Sequence, residues 1–246
     1  MKTRLCLCLC VLSLLITNYA YSSGWSVAAS FENSKIFDIW GSSSTDIYAG
    51  GHDTTTLING CLFHYDGTAW TRIPWTSSVI TNIWGTSATN IYAVGFCGIR
   101  HFDGQTWSTI LQKFLFGVWG SSEQDVFVVG DQGNIYHYDG TSWTAMQRPV
   151  SNVTLADVWG SSSTDVFAVG SGGVILHYDG NVWSVMQSNT SNYLYGVWGS
   201  SGNDVFAVGV GSTILHYDGT SWSPMKSGLS TRETLKNIWG SASNDV

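Results

Sequence analysis

Trp198-Gly199-Ser200-Ser201-Gly202-Asn203-Asp204-Val205-Phe206-Ala207-Val208-Gly209, continued after a short connection by His216-Tyr217-Asp218-Gly219-Thr220-Ser221-Trp222, carries the fold of this 246-residue chain. Gly196-Val197-Trp198 reads as a short strand, residues 199–203 as a turn of small and polar residues, and Asp204 to Val208 as a second strand of β-formers. Gly209-Val210-Gly211 turns the chain again and Thr213 to Tyr217 supplies a third strand. Asp218-Gly219 is a strong hairpin signal, and Trp222 opens a fourth strand. No helical period of apolar residues competes with this reading.

The same unit recurs along the chain. A Trp-Gly pair stands at Trp40, Trp84, Trp119, Trp159, Trp198 and Trp239, and a His-Tyr/Phe-Asp-Gly-x-x-Trp element begins at His64, His101, His137, His177 and His216, in strict alternation. Four short strands and tight turns at a period of about 40 residues describe one blade of a β-propeller. The expected fold class is therefore all-β, a propeller of four-stranded antiparallel blades, with five complete blades at about 36–79, 80–114, 115–154, 155–193 and 194–234. Pro224, two residues after Trp222, fits only an edge strand, as the outermost strand of a blade is.

Gly24-Trp25-Ser26-Val27 resembles Val182-Trp183-Ser184-Val185, so the N-terminal side of the repeat reads as a fourth strand. Residues 24–35 with 235–246 then form an incomplete sixth blade, with strand four from one end and strand one from the other. Two strands are missing from it, which a truncated copy of a protein with six or more blades explains better than an open ring with exposed strand edges.

Ahead of the repeats, Lys2 and Arg4 precede an apolar run from Leu5 to Ile16 and small residues around Ala20 to Ser23. That is the pattern of a secretory signal peptide over 1–22, and it predicts a secreted protein, extracellular or periplasmic. The run is too short for a membrane span, which takes roughly 20 apolar residues, and no later segment supplies one. Cys61 and Cys97 then face an oxidising compartment, at equivalent turns of neighbouring blades; they either form a disulfide or remain two half-buried thiols.

The formal charge of -7, with 10 Lys plus Arg against 17 Asp plus Glu, argues against a nucleic-acid partner. Twelve of the 13 Trp stand at repeat positions and read as core. The five repeated His, and Asp46, Asp125, Asp165 and Asp204 after the Gly-Ser-Ser turns, read as structural partners of turn backbone, because a catalytic group is needed once per site and not once per blade. No zinc spacing, phosphate loop or nucleophile elbow is present, so no metal or cofactor is expected.

The turns between strands one and two and between three and four are uniform, whereas those between two and three and between blades vary. These sets open on opposite faces, and binding residues concentrate in variable loops. The candidates there are His52 and Asp53 in the insertion Gly51 to Thr56, Trp75, Phe96, Asp131, Gln132 and Arg148.

The motifs Trp-Gly-Ser-Ser-x-x-Asp-Val-Phe-Ala-Val-Gly and His-Tyr-Asp-Gly-x-x-Trp, over residues 24 to 246, resemble those of secreted bacterial repeat proteins of the BNR/Asp-box-like and photosystem II assembly-factor-like propeller group. The resemblance implies the propeller fold. It carries over no catalytic residue: Arg72, Arg100, Arg148 and Arg232 lie in no motif that matches the arginine triad of sialidases. The expected function is a non-catalytic exported scaffold that binds a protein or a glycan. The rival is a glycosidase- or sialidase-like hydrolase drawing acids such as Asp53 and Asp131 from the irregular loops.

Overall fold

The computed structural model describes residues 27–74, 78–228 and 233–246. The signal-peptide segment and Trp25 lie outside the described residues. Twenty strands form five four-stranded antiparallel sheets, each in simple sequence order. The first comprises β1 (Ser34–Ser43), β2 (Asp46–Asp53), β3 (Gly60–Tyr65) and β4 (Trp70–Ile73). The second comprises β5 (Ile80–Ser87), β6 (Asn90–Gly95), β7 (Gly98–Phe102) and β8 (Trp107–Leu111). The third holds β9 (Leu115–Ser122), β10 (Asp125–Gly130), β11 (Ile135–Tyr138) and β12 (Trp143–Ala145). The fourth holds β13 (Leu155–Ser162), β14 (Asp165–Gly170), β15 (Ile175–Tyr178) and β16 (Trp183–Met186). The fifth holds β17 (Leu194–Ser201), β18 (Asp204–Gly209), β19 (Ile214–Tyr217) and β20 (Trp222–Pro224).

The first strand of each sheet packs on the first strand of the next, β1 on β5, β5 on β9, β9 on β13 and β13 on β17. These are blades arrayed around inner strands. Second strands are the most deeply buried: Val126, Phe127, Val128 and Val129 of β10 and Val166, Phe167, Ala168 and Val169 of β14 are fully enclosed. A strand covered on both faces reads as a continuous apolar run, and Asp-Val-Phe-Ala-Val is such a run. Pro224 ends β20, the outermost strand of its sheet, where its missing N–H costs no ladder bond.

The Trp-Gly pair is the joint between blades. A Cβ on Gly120 would lie 2.5 Å from the Trp84 ring, one on Gly160 2.7 Å from Trp119, and one on Gly199 2.6 Å from Trp159. Each inner Trp thus lies on the glycine of the following blade, and no larger residue fits there. The fourth-strand Trp reach the other way: Trp183 packs edge-on to Phe127 at 6.2 Å and its Nε1 donates to Met146 Sδ, both on the preceding blade. Trp222 repeats this with Phe167 and Met186.

The C-terminal segment takes the seat of a further inner strand. A Cβ on Gly240 would lie 2.7 Å from the Trp198 ring, and Ser241 Oγ donates to Asp245 as its counterparts do. At the other end, residues 27–31 form no strand, and Phe31 stacks on Phe63 at 4.2 Å and edge-on to Trp70 at 5.2 Å, against the first blade.

First strands are longer than the sequence reading gave. β17 runs through Gly199-Ser200-Ser201, leaving only Gly202 and Asn203 as the turn. Ser200 steps out of the ladder at a second bulge while Ser201 pairs with Asp204, and the Ser200 hydroxyl has a fixed acceptor, described next.

Candidate functional site

On the uniform face, His and Asp bond to each other and not to turn backbone. His137 Nε2 donates to Asp125 Oδ1 at 2.7 Å, and the same bond joins His64 to Asp46, His177 to Asp165 and His216 to Asp204. The second carboxylate oxygen accepts the hydroxyl of Ser121, Ser42, Ser161 and Ser200 respectively. In the second blade Asn90 replaces the acid and still accepts from His101, at 2.6 Å. Burial holds the His101 imidazole below its usual pKa. The group holds Ser, His and Asp, yet in an order that cannot activate a nucleophile. In a catalytic triad the imidazole stands between serine and carboxylate to take the hydroxyl proton; here the carboxylate stands between them, and the array ties strand three to the start of strand two.

The Asp-Gly hairpins on that face are closed by their own acids. Asp139 Oδ1 accepts the N–H groups of Thr141 and Ser142 at 2.9 and 2.8 Å, which lowers its carboxyl pKa, and Gly140 takes the left-handed conformation at φ 87°. Asp66, Asp103, Asp179 and Asp218 repeat the arrangement, with the same downward shift.

Along the inner strands, one position links successive blades. Ile83 N–H donates to Asp38 Oδ2 at 2.8 Å, Val118 N–H to Asn82 Oδ1 at 3.0 Å, and Val197 N–H to Asp157 Oδ2 at 2.9 Å. Burial pushes both the Asp38 and the Asp157 carboxyls up to about 7, against the lowering effect of those hydrogen bonds, and the charge of Asp38 raises Asp157 further.

The opposite face is built differently. Every first strand carries a β-bulge near its start, which leaves Phe37, Thr81, Phe116, Ala156 and Tyr195 outside the ladder. A bulge re-aims the side chain it carries. Phe116 meets Phe96 edge-on at 6.0 Å, and Phe96 meets Phe114 at 5.8 Å. Phe37, Phe96 and Phe114 are 49%, 45% and 56% exposed. Further round, Tyr195 stacks on Tyr193 at 4.4 Å, and the Lys236 ammonium stands 3.3 Å above the Tyr195 ring.

The candidates read from sequence fall into separate groups on this face. His52 Nε2 donates to the Thr56 carbonyl at 3.0 Å, inside its own loop. Asp53 accepts from the Thr55 hydroxyl and from Arg72, which together lower its carboxyl to about 2. In the third blade Arg148 Nη1 donates to the Gln132 carbonyl at 2.6 Å and to Asn134 Oδ1 at 2.9 Å, and the neighbouring Asp131 lies 3.5 Å from the Thr154 hydroxyl. Gln132 occupies φ 58°, where the fourth blade has Gly172 at φ 67°. Phe96 stands with the aromatic group. Trp75 lies outside the described residues. Cys61 and Cys97 are both free thiols, Cys61 buried and Cys97 half-buried. The sequence reading passed over Phe37, Phe114, Phe116, Tyr193, Tyr195 and Lys236; for Phe37, Phe116, Tyr195 and Lys236 a signal was present, because the residue three before each inner Trp varies freely while the one before it is always Ile or Leu.

Basic residues are kept off the uniform face. Asp46, Asp66, Asp103, Glu123, Asp125, Asp139, Asp165, Asp179, Asp204 and Asp218 lie in or beside the uniform turns, which contain no Lys or Arg. Among the described residues, Lys and Arg lie instead along the strands or on the variable face, including the exposed Lys35, Lys113, Arg148, Lys226 and Lys236, where Glu32, Asp53, Asp131 and Glu233 also stand. A shallow depression of about 200 Å³, lined by Ser188, Thr190, Ser212, Thr213 and Met225 among others, also opens there. It is smaller than the roughly 300–1,000 Å³ of small-molecule clefts.

No family model matches the chain, and no curated protein matches it. Solved structures do. YCF48 from Cyanidioschyzon merolae aligns with a TM-score of 0.60 at 12% identity, over 86% of this chain and 91% of that one. The WD40 repeats of RRP9 align with a TM-score of 0.67 at 8% identity, over 85% of this chain and 71% of that one. A structure described as YCF48 bound to D1 peptide aligns at 0.46 with 14% identity, over 86% and 87%. The inner strands, the blade order and the likeness to the YCF48 and RRP9 WD40-repeat structures together make this chain a β-propeller.

Proposed function

We propose that the chain is an exported, non-catalytic scaffold that binds a polypeptide through its variable face. The observation that carries this reading is the aromatic group of exposed Phe96 and Phe114 with half-buried Phe116, seated where one of the recurrent bulges delivers a side chain out of the ladder. Exposed aromatics supported by a rigid sheet are the usual anchors of protein recognition. A polypeptide is favoured over a glycan because this group is phenylalanine, which brings no polar handle of its own to meet sugar hydroxyls. A hydrolase is disfavoured: Arg72 and Thr55 hold Asp53 as a carboxylate, whereas a general acid needs a raised pKa. Export rests on the apolar leader at residues 5–16.

An unbiased peptide-display selection on the immobilised chain tests the binding reading. Enriched peptides should lose about tenfold or more in affinity with Phe96→Ala plus Phe114→Ala, and none with Val182→Ala on the opposite face. Failure of any peptide to enrich, or binding on a glycan array that survives the double substitution, would overturn it.

A further inference from the structure

We infer that the polypeptide taken by the variable face is acidic, with glutamates or aspartates flanking an apolar anchor residue. The inference rests on the binding reading above and specifies the partner's chemistry. In a chain of formal charge -7, the aromatic group sits on the face that carries the exposed lysines. Lys113 directly precedes Phe114, and Lys236 extends its ammonium over Tyr195 at 3.3 Å. Of the acids on this face, Asp53, inside the first blade's insertion, is neutralised by Arg72, and Glu32, Asp131 and Glu233 are outnumbered by Lys35, Lys113, Arg148, Lys226 and Lys236. The opposite face, with its acidic turns and no Lys or Arg, would repel the same partner.

Two forces then act on different parts of one segment. An apolar side chain of the partner replaces water over Phe96, Phe114 and Phe116, which supplies non-directional affinity. Its acids meet ammonium groups at the rim, where charge complementarity governs encounter rate and choice of partner more than affinity. A basic segment would find the anchor but not the charges. Nucleic acid, with a charge on every residue, would meet the acidic body of the molecule as well as this small positive rim.

The test continues from the display selection. Selected sequences should be enriched in Asp and Glu around an aromatic or Leu. A synthetic probe with glutamates flanking one phenylalanine should bind in fluorescence anisotropy, and weaken about tenfold between about 0.05 and 0.3 M salt. Lys113→Glu plus Lys236→Glu should abolish that binding without moving the melting temperature, and should improve binding of the matching lysine-flanked probe. Selection of neutral or basic peptides would overturn this inference and leave the binding reading intact; no selection at all would remove both. Tighter binding of a single-stranded oligonucleotide would also overturn it. So would self-association in sedimentation that the lysine substitutions abolish while the acidic probe stays unbound, since the partner would then be the acidic face of a second copy.

Discussion

The His177 ring lies 4.5 Å from the Phe167 ring and donates to Asp165, so one residue joins the apolar interior of its blade to a carboxylate at the surface. Its removal leaves Asp165 with only the Ser161 hydroxyl as a side-chain partner. We expect His177→Ala to cost on the order of 1–3 kcal/mol in denaturant unfolding, the range for a hydrogen bond to a charged group. Larger losses belong to the inner Trp. Trp159→Ala empties the seat above Gly199 and should cost on the order of 3–5 kcal/mol; an unchanged melting temperature would contradict the joint between blades. At this scale the sequence was half legible. Trp followed by Gly announces a flat ring against a bare backbone. The His-Asp pairing was not visible, because His177 and Asp165 are twelve residues apart and meet only when antiparallel register brings the third strand beside the second.

Among the elements, the first strand does the most varied work. It stacks the blades, bears the bulge and carries Asp38 or Asp157 toward the next blade. The two carboxyls give it a pH dependence. Their folded values of about 7 exceed the ordinary 3.8, so from about pH 4 to 7 the folded chain binds more protons than the unfolded one. Stability is therefore greatest at the acidic end of that window and declines as pH rises through 7. A melting series from pH 5 to 8 should fall up to about pH 7 and level off beyond it, and Asp157→Asn should flatten the falling limb. An identical slope in the variant would mean that Asp157 is ionised throughout. The sequence reading took this strand as three residues and so missed the bulge at its start. A propensity pattern marks which residues favour a ladder and is silent about the one that steps out of it.

Across the whole molecule the repeat set out five four-stranded antiparallel blades and their strand order, which the described residues show. The candidate site was legible only as a region. His52 with Asp53, Phe96, and Asp131 with Gln132 and Arg148 belong to three different blades, and each group is satisfied within its own blade or by aromatic neighbours. Irregular loops declared themselves by differing in length, but the aromatic group arises where a loop residue, Phe96, meets a strand residue, Phe116, of the adjacent sheet. That meeting depends on how blades stack, which no single repeat contains.

The bulge at the start of each first strand frees a residue from the demands of pairing while anchoring it on the strand that stacks against the neighbouring blades. Phenylalanine, threonine, alanine and tyrosine all occupy it without altering the register that follows. A lineage of such chains can therefore exchange these residues one at a time and resculpt that face, with the wheel beneath left untouched.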